Sequence, residues 1–169
     1  MILGVISDTH GNHAFMTRAA DRLFDEIGAE LLIHLGDDYA DAELLRLSGR
    51  AVKAAPGLWC PEYRRAGIAR RLDERIGGLH VVAAHADKDL HPTDVDADIV
   101  LTGHTHRAAL QRVGHALHVN PGHLKAAVDR RQPATFASIA IEDDHVEARI
   151  HGLDGTVLQR LRIDRGRLA

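Results

Sequence analysis

The chain has a single cysteine, Cys60, in 169 residues, so no internal disulfide staples it and a reducing compartment suits it. No run approaches the 18 uninterrupted apolar residues of a membrane-spanning helix. Positive charge is not in excess. Lys and Arg number 21 against 24 Asp and Glu, a formal net charge of −3, so bulk electrostatic binding to nucleic acid is not expected. Internal repeats, low-complexity tracts and linkers are missing as well. The apolar opening, residues 1–6, lacks the basic region that precedes a signal core and runs straight into Ser7-Asp8-Thr9-His10. It reads as the first strand of a cytoplasmic protein. The remaining composition, 45% hydrophobic and 27% charged, is that of an ordinary globular chain. One domain over residues 1–169 is expected, large enough to bury roughly two-thirds of its unfolded surface. Histidine is the exception, at 13 residues. It is the commonest metal ligand and the usual general acid or base.

Hydrophobic patterning gives strands over 2–6, 31–35 and 51–55. A helix runs from Asn12 or His13 through Glu26, with Phe15, Ala19, Leu23 and Ile27 at helical spacing and Gly28 as its stop. A second helix covers 41–47. This alternation predicts parallel pairing. Residues 56–67 read as an irregular loop. The rest is consecutive strands: hairpins 70–76/79–84, 108–113/116–119 and 135–141/145–151, single strands at 98–102 and 156–163, and a frayed tail from 164. Half the chain is βαβ-like and half is strands, which predicts two sheets packed face to face with helices outside.

Polar clusters follow these strands. Asp8-Thr9-His10 follows the first, Gly36-Asp37 the second, His85 the strand at 79–84, and Gly103-His104-Thr105-His106 the strand at 98–102. Ligands of open α/β sheets bind at strand ends. Neighbouring strands would gather two Asp and four His around one crevice, where they would repel or lie unsatisfied without a cation. Mixed imidazole and carboxylate donors suit Zn, Mn, Fe or Ni, and the histidines argue against Ca and Mg. A carboxylate with two oxygens spans two ions, and a two-metal clamp serves hydrolytic phosphoryl chemistry.

Asp8-x-His10, Gly36-Asp37, His85 and Gly103-His104-x-His106, in this order, resemble the calcineurin-like metallophosphoesterase superfamily. Ser7-Asp8-Thr9-His10-Gly11 and Asn120-Pro121-Gly122 resemble its small YfcE-like phosphodiesterase branch. The resemblance runs from Met1 to about Ile163. It implies a four-layer α-β-β-α sandwich of two mixed sheets with flanking helices. It also implies Asp8, His10 and His106 on a first metal, Asp37 bridging, and His85 and His104 on a second. Asp37 and His85 thereby belong to the catalytic centre. One element departs: where the family places Gly-Asn after the third strand, with the Asn carbonyl on the second metal, this chain has Gly57-Leu58. Trp59 stands where many members carry a proton-donating His. The expected centre holds two divalent ions, manganese before zinc, iron or nickel, the second weakly bound unless Cys60, Glu62, water or a shifted loop replaces the lost ligand.

Other residues carry two readings each. Asn12 caps the helix or contacts substrate phosphate at the helix N-terminus. His123 is a surface residue, or a general acid or hydrogen-bond donor to phosphate. Cys60 is a semi-buried thiol or a ligand. Arg64, Arg65, Arg70 and Arg71 are a solvated run or guide an anion. Trp59 and Tyr63 pack the loop, stack on substrate or meet a second subunit. The resemblance implies a phosphodiesterase acting on a small phosphoester through a metal-activated hydroxide, favouring good leaving groups, with no membrane partner and a possible homo-oligomer. The rival is a scaffold that binds a protein partner, as a retromer subunit of this fold does. A nucleotide sensor is the third reading.

Overall fold

The structure, a computed structural model, describes residues 1–168, the side chains of Val95 and Arg167 excepted. Thirteen strands follow one another along the described residues. β1 (Ile2–Ile6), β2 (Leu31–His34) and β3 (Val52–Ala54) alternate with helices α1 (His13–Asp21) and α2 (Tyr39–Leu47). Next come β4 (Arg71–Ile76), β5 (Leu79–Ala84), β6 (Ile99–Thr102), β7 (Ala109–Val113) and β8 (Ala116–Asn120). A small hairpin, β9 (Val128–Asp129) and β10 (Gln132–Pro133), precedes β11 (Thr135–Ile141), β12 (His145–Gly152) and β13 (Val157–Asp164).

Two mixed sheets result, in the orders β13-β12-β11-β1-β2-β3 and β4-β5-β6-β8-β7. β1, β2 and β3 are parallel, as are β5, β6 and β8, whereas the hairpins pair antiparallel. Period-two alternation decides the layers. Leu3, Val5 and Ile33 face Val81, Ala83, Ile99, Leu101, Leu117 and Val119 across the space between the sheets. From the opposite face of the first sheet, Ile6 and Leu32 pack with Met16, Ala19, Ala20 and Leu23 of the first helical segment and Leu45 of α2. Over the second sheet the outer layer consists of short 3-10 turns, Asp87–Asp89 and Pro92–Asp96. There Ala97 and Leu90 join Val82 and Val100. This is the expected sandwich, with one flanking layer reduced to turns. Among the described residues no helix is long and apolar enough to cross a membrane.

Local details differ from expectation. The first helix widens after Asp21 into i→i+5 bonding over Arg22–Ile27 before the left-handed Gly28 ends it. This turn carries Leu23 onto β1, where a Cβ on Gly4 would lie 2.8 Å from Leu23 Cδ1. The tail is ordered through Leu168. Arg165–Arg167 forms a turn, Arg165 donates to Gly77 O at 2.6 Å and Glu142 O at 3.1 Å, and Leu168 is buried. Ala169 lies outside the described residues. The β9–β10 hairpin was not expected at all, because two residues per strand are too few to show a period.

The parallel strands of both sheets end at the same rim, so their following loops share one crevice. The layer between the sheets supports that rim. Leu101→Ala, at a fully buried position in this layer, is expected to cost about 2–5 kcal/mol. Urea unfolding followed by far-ultraviolet circular dichroism checks this, with the midpoint falling and the slope unchanged.

Candidate metal centre

The crevice begins with backbone strain. Asp8 (φ 52°), His10 (φ 48°), His104 (φ 65°) and His106 (φ 63°) all occupy the left-handed region. For residues with a Cβ this costs about 1–2 kcal/mol each. Such strain persists only where the surroundings over-determine it, and it gathers at functional sites. Two glycines allow the close packing. A Cβ on Gly57 would lie 1.9 Å from Asp37 Oδ1, and one on Gly103 would lie 1.9 Å from Ser7 Oγ and 3.0 Å from Asp8 Oδ2.

The side chains then converge. His106 Nε2 lies 3.2 Å from Asp8 Oδ1 and 3.4 Å from His10 Nε2. His10 Nε2 lies 3.5 Å from Asp37 Oδ2, while the other oxygen of Asp37 lies 3.5 Å from His85 Nε2. His85 Nε2 is 3.2 Å from His104 Nδ1. Ligand-type atoms of Asp8, His10 and His106 lie within 4.8 Å of one another, as do those of Asp8, Asp37 and His85. Neighbouring donors on a tetrahedral cation with bonds of about 2.0–2.1 Å stand about 3.3 Å apart, the spacing seen here. Asp8 Oδ1 and Asp37 Oδ1 are buried without a hydrogen-bond partner. Clustered imidazole lone pairs and orphaned carboxylate oxygens are what a cation relieves, so the residues present fit divalent metal. Asp8, His85, His106 and Asp37 are buried, whereas His10 and His104 are exposed and open the crevice to solvent.

Tautomers are set from behind. His85 Nδ1 lies 2.6 Å from Leu35 O, and His106 Nδ1 lies 2.6 Å from Asp129 Oδ2. An acceptor on Nδ1 places the proton there and leaves the Nε2 lone pair for the crevice. Burial pushes the Asp8 pKa up, but contact with the His106 ring when that ring is charged, the hydrogen bond from Ser7 and the nearby His85 hold it below the usual carboxylate value. Contact with Asp8 raises the His106 pKa against its burial.

The remaining expected residues fall elsewhere. Asn12 accepts from Phe15 N at 3.2 Å and donates to Lys125 O at 3.0 Å, so both ends of its amide are spent on the cap and a loop contact. His123 is fully buried, with its ring 5.3 Å from that of His106 and its Nε2 3.1 Å from Gln132 O. His123 is therefore not the surface residue of one reading, and its Nδ1 is buried without a hydrogen-bond partner. Leu58 lines a cavity of about 250 Å³ with Ala86, Lys88 and His104, and Trp59 is 84% exposed. Cys60 Sγ accepts from Tyr39 N at 3.4 Å, and burial pushes its thiol pKa up, so it serves the start of α2 and joins neither ligand group. Tyr63 anchors its loop through Asp89 at 2.6 Å, under the guanidinium of Arg70, while Arg71 pairs with Asp73 and Asp94.

Sequence reading missed Asp129 and a buried relay. Gly36 N donates to His34 Nδ1 at 3.1 Å. The protonated His34 Nε2 faces Thr9 Oγ1 at 3.4 Å, and Thr9 donates to Asp41 Oδ2 at 2.5 Å. The exposed His13 closes the chain on Asp41 Oδ1 at 2.9 Å. The relay supports the Asp37 loop from below. It joins residues 9, 13, 34, 36 and 41, and no short motif spans them.

Residues 1–144 match the calcineurin-like phosphoesterase superfamily domain. The probable metallophosphoesterase MJ0623 of Methanocaldococcus jannaschii is 30% identical over 159 residues, 89% of this chain and 80% of that protein. A predicted phosphoesterase from Streptococcus pneumoniae superposes with a TM-score of 0.72 at 20% identity, over 97% of each chain. Zinc-complexed Vps29 from Entamoeba histolytica gives 0.67 at 23% identity, over 97% of this chain and 99% of its own. An archaeal phosphodiesterase gives 0.65 at 19% identity, with the same shares. At these identities the structural likeness is one of fold.

Burial depresses the His34 pKa from 6.5 to about 4, against the pull of Asp41 and Asp8. The unfolded chain therefore binds the extra proton between about pH 6.5 and pH 4, and stability falls as pH drops through that window, by about 2–4 kcal/mol in full. His34→Asn, which keeps an acceptor near Nδ1, is expected to flatten this part of the profile. Urea midpoints of both proteins across the window, in chelator, test it. Gly103→Ala is expected to cost about 1–3 kcal/mol by crowding Ser7 and Asp8, read from the same midpoints.

Proposed function

The chain belongs to the calcineurin-like phosphoesterase superfamily, and we propose that it is a metal-dependent phosphodiesterase acting on small phosphoesters at a dinuclear centre. The observation that carries this is Asp37, whose two oxygens face two different histidine groups at 3.5 Å each. Asp8, His10 and His106 would hold the first cation with Asp37 Oδ2. His85 and His104 would hold the second with Asp37 Oδ1. Bound divalent ions would polarise phosphoryl oxygens and bring the pKa of a water toward about 7. Manganese is the first choice, with zinc, iron or nickel as alternatives, since imidazole and carboxylate donors suit all four. Apolar Leu58 beside His104 adds no donor, so the second ion is the weaker one.

The chain's own residues orient rather than transfer protons. Asp37 and His85 act at the centre by holding charge in place. His85 and His106 spend their N–H groups on Leu35 O and Asp129, and neither is set to protonate a leaving group. Substrates with good leaving groups, such as aryl phosphodiesters, are therefore favoured. Exposed His10 and His104 leave the crevice open to a small substrate. One observation favours the scaffold reading: Trp59, 84% exposed and next along the chain to Leu58, is the kind of aromatic that anchors a protein partner.

His10→Ala and Asp37→Ala are each expected to lower Mn-stimulated hydrolysis of an aryl phosphodiester by more than about 100-fold. Unchanged turnover in both variants overturns the phosphodiesterase reading. Manganese bound by the wild type without hydrolysis of any phosphoester moves the assignment to the scaffold.

A further inference from the structure

We propose that the β9–β10 hairpin is a positioning element of the first metal site, and that Asp129 is the residue through which it acts. The inference rests on the metal centre proposed above. Asp129 ends β9, 23 residues along the chain from His106, and its Oδ2 lies 2.6 Å from His106 Nδ1. This fixes the ring plane and the proton on Nδ1, and points the Nε2 lone pair at Asp8 and His10. Lys125 Nζ, 3.3 Å from Asp129 Oδ1, and Arg130 Nε, 3.8 Å from Oδ2, hold the carboxylate from the solvent side.

The hairpin is built for this place rather than for its own stability. A two-residue turn with both residues at positive φ favours Asn-Gly, yet Arg130 (φ 47°) and Arg131 (φ 63°) occupy it. Two residues per strand give little ladder to offset that strain. The surrounding segment is instead stitched to the centre. Leu124 N donates to Asp8 O at 3.2 Å, and Asn12 Nδ2 to Lys125 O at 3.0 Å. His123 is pinned through Gln132 O and lays its ring, tilted by 30°, against His106. His106 is thus held by a carboxylate on its far nitrogen and by an imidazole on its face. A partner behind a metal-bound histidine raises its basicity and removes its freedom to turn away.

The test titrates the whole protein with Zn²⁺ by calorimetry and reads histidine nitrogens by ¹⁵N NMR. Asp129→Ala is expected to weaken Zn²⁺ binding at one site by about 10–100-fold and to abolish the hydrogen-bonded Nδ1–H signal of His106. Asp129→Asn keeps an acceptor oxygen in place and is expected to keep that signal and lose less affinity. A role in stability alone would lower the melting temperature and leave the affinity of the folded protein unchanged, which overturns the proposal. Zinc-loaded wild type with His106 bound through Nδ1 overturns it without any substitution, so the result does not depend on the alanine variant folding. Zinc uptake lost in His106→Ala but intact in Asp129→Ala overturns this inference alone. A wild type that takes up no Zn²⁺ overturns the metal centre with it.

Discussion

Two carboxylates and four imidazoles are pressed together at the end of a β-sandwich with too few protons to go round, and the rest of the structure answers that constraint. Asp8 and Asp37 each bury an oxygen that no donor reaches. His10 and His106 bring their Nε2 atoms within 3.4 Å. Such a group is costly when empty and favourable around positive charge. The apolar layer between the sheets, the strand ends and the supporting hydrogen bonds hold these groups together against their mutual repulsion.

Rigidity is distributed over several devices. Left-handed backbone at Asp8, His10, His104 and His106 turns the side chains inward immediately after their strands. Gly57 and Gly103 let neighbouring loops pass within contact of the carboxylates. Leu35 O, Asp129 and the His34–Thr9–Asp41 relay each fix a ring or a loop from the side away from solvent. A centre preorganised in this way spends little on rearrangement when charge builds up during reaction.

The elements legible in advance were those with a strong local signal. β1, β2, β5 and β6 are apolar runs of four to six residues bounded by polar turns, and Gly77-Gly78 marks a hairpin. The start of α2 was misread by two residues because its N-cap, Asp38, is left-handed and makes no side-chain cap bond. The tail looked loose because its anchor, Arg165 on Gly77 O, spans 88 residues. Asp129 carried no signal, since a lone Asp before two Arg reads as a solvated turn.

By itself the sequence determined the alternation of strands and helices and the order of Asp8, Asp37, His85, His104 and His106 after their strands. Local periodicity and residue chemistry are written in the chain. Only the tertiary structure decided which atoms meet. It set which oxygen of Asp37 faces which histidine and which nitrogen of His106 is free. It also turned His123 and Asn12 inward to support neighbours. Those outcomes depend on contacts between residues distant along the chain, and such contacts exist only once the sheets have packed.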